Sequence, residues 1–152
     1  MVTITKAQAH HIPAIIDLTQ RAILQTAAVA YSPEQLNVWA KALNRPSLWE
    51  NVIRKQVLLV AMEQDRLAGI ISLEKGYYID FLYVHPDFGR QGIARALLNA
   101  IITHADQGWL EVFASKLARP FFENHGFEVV HDNKVHLDGQ VLINYKMVKE
   151  PI

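Results

Sequence analysis

Cysteine is absent from the 152 residues of this chain, which excludes disulfides, a thiolate nucleophile and cysteine metal sites together. A block of like charge is missing too. Fifteen basic residues balance fifteen acidic ones, so nothing marks a dedicated nucleic-acid-binding surface. The longest clean apolar run, Val57 to Met62, is far too short to span a bilayer. No basic stretch followed by an apolar core and a small-residue cleavage site opens the chain, so no secretory signal is expected and a cytoplasmic protein is the default. The Gly-x-Ser-x-Gly elbow, the Walker lysine loop and the Gly-x-Gly-x-x-Gly fingerprint are all lacking. Seven histidines are present but not spaced as ligands. His10 and His11 are adjacent, His131 and His136 fall on an expected hairpin, and none forms a helical i, i+4 pair, so no metal is expected.

What is present is a core. Apolar residues make up 51% of the chain, enough for a globular fold and too many for a disordered one. Val2, Ile4 and Lys6 alternate as a first strand. Ile12, Ile15, Ile16, Ala22 and Ile23 describe an amphipathic helix with Pro13 near its start, and the pattern loses its polar face around Thr26 to Ala30. Ser32-Pro33-Glu34-Gln35 is a strong helix start, with Ser32 as cap and Gln35 completing a capping box. Leu36, Trp39, Ala40 and Leu43 follow at helical spacing; Asn44 to Pro46 breaks it, and a short helix begins at Ser47. Val57 to Met62 and Leu67 to Leu73 read as a hairpin, with Gly69 a bulge or a close approach. Tyr77 to Val84, Trp109 to Ala114, Phe127 to His136 and Val141 to Val148 are further strands, the last two joined at Asp138-Gly139. Helices are expected from Ile93 to near Gly108 and from Ser115 to His125. The reading is a mixed α/β sheet, with no linker or repeat to suggest a second domain.

The chain is organised around Tyr83 to Leu98. Ile79, Phe81, Leu82, Tyr83 and Val84 form a strand that Pro86 must end. After Gly92 the apolar residues Ile93, Leu97, Ala100 and Ile101 recur at helical spacing. Backbone N–H groups converge at such a helix start, whose dipole favours negative charge. The missing side chains of Gly89 and Gly92 let a bulky anion approach the main chain, and a diphosphate fits best. The same pattern also suits a strand–turn–helix corner with glycines for tight packing.

This segment resembles motif A of the GCN5-related N-acetyltransferases (GNAT), where Gln/Arg-x-x-Gly-x-Gly/Ala cradles the pyrophosphate of acetyl-CoA. The match falls on Gly89-x-x-Gly92-x-Ala94, with Gly89 where the family usually has Gln or Arg and Arg90 beside it. A second family pattern, Asn-x-x-Ala-x-x-Phe-Tyr-Glu-x-x-Gly-Phe, is met in order by Ser115, Ala118, Phe121, Phe122, Glu123, Gly126 and Phe127. The segments Tyr31 to Gln35 with Trp39-Ala40, and Tyr78 to Val84, further resemble the YafP-like branch of small bacterial acetyltransferases. The resemblance implies one GNAT domain over residues 1–152, with a mixed, mostly antiparallel sheet of about seven strands and about four flanking helices.

It also implies transfer of an acetyl group from acetyl-CoA to an amine by direct attack, with no metal. In the family the fourth and fifth strands splay and the pantetheine arm inserts between them. By resemblance, Leu82, Tyr83 and Val84 would bond the pantetheine amides. Gly89, Arg90, Gln91, Gly92, Ile93, Ala94 and Arg95 would hold the diphosphate. Ser115 replaces the usual asparagine and would at most hydrogen-bond the cofactor. Phe122 sits where the family has a tyrosine credited with protonating the thiolate, and it has no proton to give. Tyr83, Tyr31 or water are the substitutes. Related folds often form homodimers through exposed sheet edges. A rival reading keeps the fold and acyl-CoA binding but loses transfer, on the strength of Gly89 and Phe122.

Asp80 is the candidate base: it shares strand parity with Leu82 and Val84 and lies in an otherwise apolar strand, where burial raises a carboxyl pKa. The alternative is a structural carboxylate bonded to a neighbour. Glu111 occupies a similar position on the next strand. Tyr31 is expected in the acceptor pocket and Trp39 in the core. His125 is read as a helix C-terminal residue and His85 as a turn residue.

Overall fold

The computed structural model describes residues 1–151. Seven strands form one sheet in the order β1-β2-β3-β4-β5-β7-β6, where β1 is Val2–Lys6, β2 Val57–Glu63, β3 Arg66–Glu74, β4 Tyr78–Val84, β5 Leu110–Ser115, β6 Glu128–Leu137 and β7 Gln140–Lys149. Only β4 and β5 pair in parallel, so the sheet is mixed and mostly antiparallel as expected. Helices α1 (Ile12–Arg21), α2 (Pro33–Leu43), α3 (Pro46–Lys55), α4 (Ile93–Ile102) and α5 (Arg119–Asn124) make five where about four were expected. The residue pattern along the chain marks all five, α3 included; it starts at Pro46, one residue before the expected Ser47, because proline suits the first helical position directly after Asn44 closes α2. No helix among the described residues is long and apolar enough to cross a membrane.

Local chemistry explains most boundaries. Ser32 Oγ accepts from the Gln35 N–H at 3.2 Å while Gln35 Oε1 accepts from the Ser32 N–H at 2.9 Å, so the capping box is formed in full. Where the apolar pattern blurred, α1 runs into a π-helical turn at Ala22–Thr26 and a short 3₁₀ turn at Ala27–Val29. Helix α4 ends at Ile102, well before Gly108. Its carbonyls at Ala100, Ile101 and Ile102 are taken up by tightened turns, and the Asp106 N–H bonds Gly76 instead of continuing the helix. The helix expected from Ser115 begins only at Arg119, because the Ser115 hydroxyl accepts from the Ala118 N–H and holds a turn there.

Two cores lie on opposite sides of the sheet. In one, Ile71, Leu73 and Ile79 from the strands pack with Leu97, Leu98 and Ile101 of α4. In the other, Val60 and Ile70 pack with Ile15, Leu18, Leu36 and Trp49 from α1 to α3. Gly69 is a close approach: a Cβ there would stand 2.8 Å from Ile93 Cγ2, 2.9 Å from Leu97 Cδ1 and 3.1 Å from the Tyr83 carbonyl oxygen. The bare backbone at Gly69 therefore lets the start of α4 sit directly on β3 and β4.

One irregularity corrects the expected parity of Asp80. Ile71 pairs with Leu82 and Leu73 with Ile79, so Ser72 alone faces both Asp80 and Phe81. This is a β-bulge, fixed by the Phe81 N–H donating to Ser72 Oγ at 3.1 Å. Beyond it the alternation slips by one residue. Ile79, Leu82 and Val84 all pack in the α4 core, whereas Phe81 and Tyr83 pack in the α1–α3 core. Asp80 thus belongs with Phe81 and Tyr83, not with Leu82 and Val84.

Candidate active site

Strands β4 and β5 pair only at Tyr78–Glu111 and Ile79–Val112. From there β5 stays paired with β7 through Ser115, and β4 leaves it, so a wedge opens between them. A cavity of about 790 Å³ occupies the wedge. Its lining includes Leu82, Val84, Ala114 and Phe122 from the α4 core, and Tyr31, Leu43, Phe81 and Tyr83 from the α1–α3 core. The cavity therefore joins the two faces of the sheet through the gap.

At the α4 end, Gly89 is extended at φ −61°, Arg90 is left-handed at φ 61° and Gly92 is left-handed at φ 78° as the cap of α4. A left-handed arginine is strained, and such strain concentrates at ligand-binding turns. The first N–H groups of α4, from Ile93 onward, have no partner within the helix, and the first helical bond runs from Ala96 to Gly92. A Cβ on Gly92 would meet nothing within 4 Å, so the approach to these N–H groups is open. Arg90 and Ala94 line the cavity. Gly89, Gln91 and Arg95 are exposed beside it, and the Ile93 side chain is buried against Gly69. The residues present fit an anionic group at this turn through main-chain donors and Arg90.

On the other face, Asp80 Oδ2 accepts from Gln56 Nε2 at 2.8 Å. Burial raises the Asp80 carboxyl above its ordinary range; the Gln56 bond opposes this and Glu74 adds to it. The Tyr83 hydroxyl accepts from Trp39 Nε1 at 3.0 Å. Burial pushes the Tyr83 phenol up, against the Trp39 bond and with help from Asp80 and Tyr31, so Tyr83 stays protonated and keeps a hydrogen to donate. Tyr31 lines the same cavity, but its hydroxyl donates to the Ile143 carbonyl at 3.2 Å and accepts from the Lys116 N–H at 3.1 Å. Both capacities of that hydroxyl are engaged in tying the entry of α2 to the ends of β5 and β7.

Other candidates are accounted for by packing. Phe122 is 1% exposed and stacks edge-on with Phe121 and Phe127 while touching the cavity. Ser115 lines the cavity, with its hydroxyl accepting from Ala118. Glu111 pairs with Lys146 Nζ at 3.5 Å across β5 and β7. His85 Nδ1 accepts from the Asp87 N–H, and His125 Nδ1 lies 2.8 Å from the Phe121 carbonyl at the end of α5. Among the described residues no group of three or more potential ligands could hold a metal ion. Sequence reasoning missed Gln56, whose bond to Asp80 spans 24 positions, and assigned Trp39 to the core alone, although it also lines the cavity.

With this geometry in place, comparison with known proteins defines the class. The Acetyltransferase (GNAT) domain matches residues 27–149. The chain belongs to the GNAT acetyltransferase family, and it is an acyltransferase. It is 37% identical over 131 residues to the uncharacterized N-acetyltransferase YafP of Escherichia coli K12, covering 86% of this chain and 84% of that protein. Its fold matches a GCN5-related N-acetyltransferase structure from Rhodopseudomonas palustris at a TM-score of 0.93 and 28% identity, over 97% of this chain and 94% of that one. It also matches the PaiA N-acetyltransferase from Thermoplasma acidophilum, solved with coenzyme A, at a TM-score of 0.79 and 20% identity over 99% of each chain.

Proposed function

We propose that this acyltransferase moves the acetyl group of acetyl-CoA to a primary amine by direct attack, in the cytoplasm. The observation that carries the reading is the cavity through the sheet. It has an anion-ready helix start on one face and a carboxylate with a protonated phenol on the other. Arg90, Gly92 and the N–H groups of Ile93, Ala94 and Arg95 would hold the diphosphate, with Gly89 and Gln91 flanking it. The main chain of Leu82, Tyr83 and Val84, free of β5, would bond the pantetheine arm. Ser115 and Phe122 would bound it from the opposite wall.

The amine nitrogen bonds to the thioester carbonyl carbon and the carbon–sulfur bond breaks. An acceptor that arrives as an ammonium gives up two protons: Asp80, directly or through water, takes one before attack, and the other passes to water as the amide forms. The sulfur gains one, which Tyr83 supplies in the role Phe122 cannot fill, and Tyr83 is reprotonated from water. Proximity within the cavity supplies the rest of the rate. The binding-only alternative is weakened by the available Tyr83 proton.

Calorimetric titration of the purified protein with acetyl-CoA tests the reading. Saturable micromolar binding, followed by thiol release when an amine is added, is the expected result. Absence of binding overturns it.

A further inference from the structure

Resting on that reading, we infer that the acceptor is a monocationic amine carried on a compact aromatic body, an arylalkylamine. On the acceptor face the cavity presents the rings of Tyr31, Trp39, Phe81 and Tyr83, with Phe113 from β5. Tyr31 and Trp39 meet edge-on with ring centroids 5.3 Å apart, and Trp39 and Tyr83 lie 6.4 Å apart, so the aromatic wall is continuous from α2 to β4. Apolar side chains such as Leu43 and Leu142 complete it. Aromatic walls of this kind favour a flat apolar guest.

Charge narrows the class further. Among the described residues, the only charged side chains lining the cavity are Asp80 and Arg90, and Arg90 belongs to the turn before α4. Asp80 is therefore the single anion there available to an ammonium group. Glu74 and Glu111 influence Tyr78, but neither lines the cavity, and Glu111 is paired with Lys146. Lys116, between the lining residues Ser115 and Leu117, holds its Nζ 5.3 Å from the centre of the Tyr31 ring. A second or third ammonium on a guest would be desolvated with no carboxylate to meet it, a cost the aromatic faces offset only in part, and Tyr31 already has the Lys116 ammonium over its ring.

The test compares 2-phenylethylamine, spermidine, kanamycin and a lysine-containing peptide as acceptors, by thiol release from acetyl-CoA. The cysteine-free chain adds no background to that assay. The expected result is a kcat/KM for 2-phenylethylamine at least about 10-fold above the other three, the scale of one good apolar pocket contact. Equal or better turnover of spermidine, kanamycin or the peptide overturns the acceptor class and leaves acetyl transfer standing. Acetyl-CoA binding without turnover of any of the four also overturns the class. Absence of acetyl-CoA binding overturns the underlying function. Trp39→Leu supplies a second reading: KM for 2-phenylethylamine should rise several-fold with acetyl-CoA affinity unchanged, and an unchanged KM counts against the aromatic wall.

Discussion

Trp39 on α2 donates its indole N–H to the Tyr83 hydroxyl on β4 across 3.0 Å, which leaves the phenolic hydrogen of Tyr83 free to point elsewhere. The bond orients the hydroxyl that the proposed chemistry needs, in a position where burial keeps it protonated. Tyr83→Phe should lower kcat by about 10²-fold, the low end for loss of a general acid, because a coenzyme A thiolate leaves fairly well unaided. Acetyl-CoA affinity should hold. Trp39→Phe should cost about 1 kcal/mol of stability for the lost bond, and a smaller share of kcat. Wild-type turnover in Tyr83→Phe would remove Tyr83 from the mechanism.

Asp80 ties activity to stability with opposite signs. Its carboxyl is raised in the folded protein, mainly by burial, so as pH rises the unfolded chain releases this proton first. The group's stabilising contribution is then present at pH below the ordinary carboxylate range. It is lost as pH climbs from the unfolded pKa to the higher folded one. Asp80→Asn retains an oxygen for Gln56 and cannot ionise. It should be more stable than the wild type at neutral pH, with the gap closing toward acid pH, while turnover falls. Denaturant titrations at several pH values, beside kcat/KM profiles, read both effects. A destabilised Asp80→Asn at neutral pH would mean that the carboxylate is structural.

Much of this was legible in the chain because local chemistry decided it. Ser32 with Gln35, Pro86 after Val84, and Gly92 before Ile93 each fixed an element end where expected. The position of Asp80 was not legible, since its face depends on Ser72, on the neighbouring strand, accepting from the Phe81 N–H. Strand alternation alone cannot register an inserted residue. The bonds from Gln56 to Asp80 and from Trp39 to Tyr83 are equally tertiary, and Trp39 serves core and cavity with one ring.

Glycines separate backbone demand from packing demand. Gly69→Ala would press a methyl group onto Ile93, Leu97 and the Tyr83 carbonyl, and should cost about 1–3 kcal/mol as α4 shifts. Gly92→Val should cost about 1–2 kcal/mol for its left-handed backbone and also weaken acetyl-CoA binding by at least about 10-fold, or roughly 1.4 kcal/mol. Gly139→Ala, at φ 80° in the β6–β7 turn and with nothing near its Cβ, provides the control. It should lose stability alone. If Gly92→Val binds acetyl-CoA as the wild type does, the turn is not the diphosphate cradle.

Gly89 is the position at which this chain departs from the family pattern, and the fold leaves room to reverse the departure. Its backbone is extended at φ −61°, a conformation any residue adopts, and a Cβ would meet only the Pro86 carbonyl at 3.5 Å. Gly89→Gln should therefore fold with stability within about 0.5 kcal/mol of the wild type. If neighbouring Arg90 already supplies the missing side-chain contact, acetyl-CoA affinity should be unchanged. If main-chain donors act alone, the added amide should tighten binding several-fold. Arg90→Ala distinguishes the two, weakening the wild type in the first case and leaving it nearly unaffected in the second. Calorimetric titration of the three proteins reads the result. A Gly89→Gln variant that folds normally but binds acetyl-CoA more weakly would show that the anion approaches through the space at residue 89 itself, and would move the cradle one turn away from Gly92.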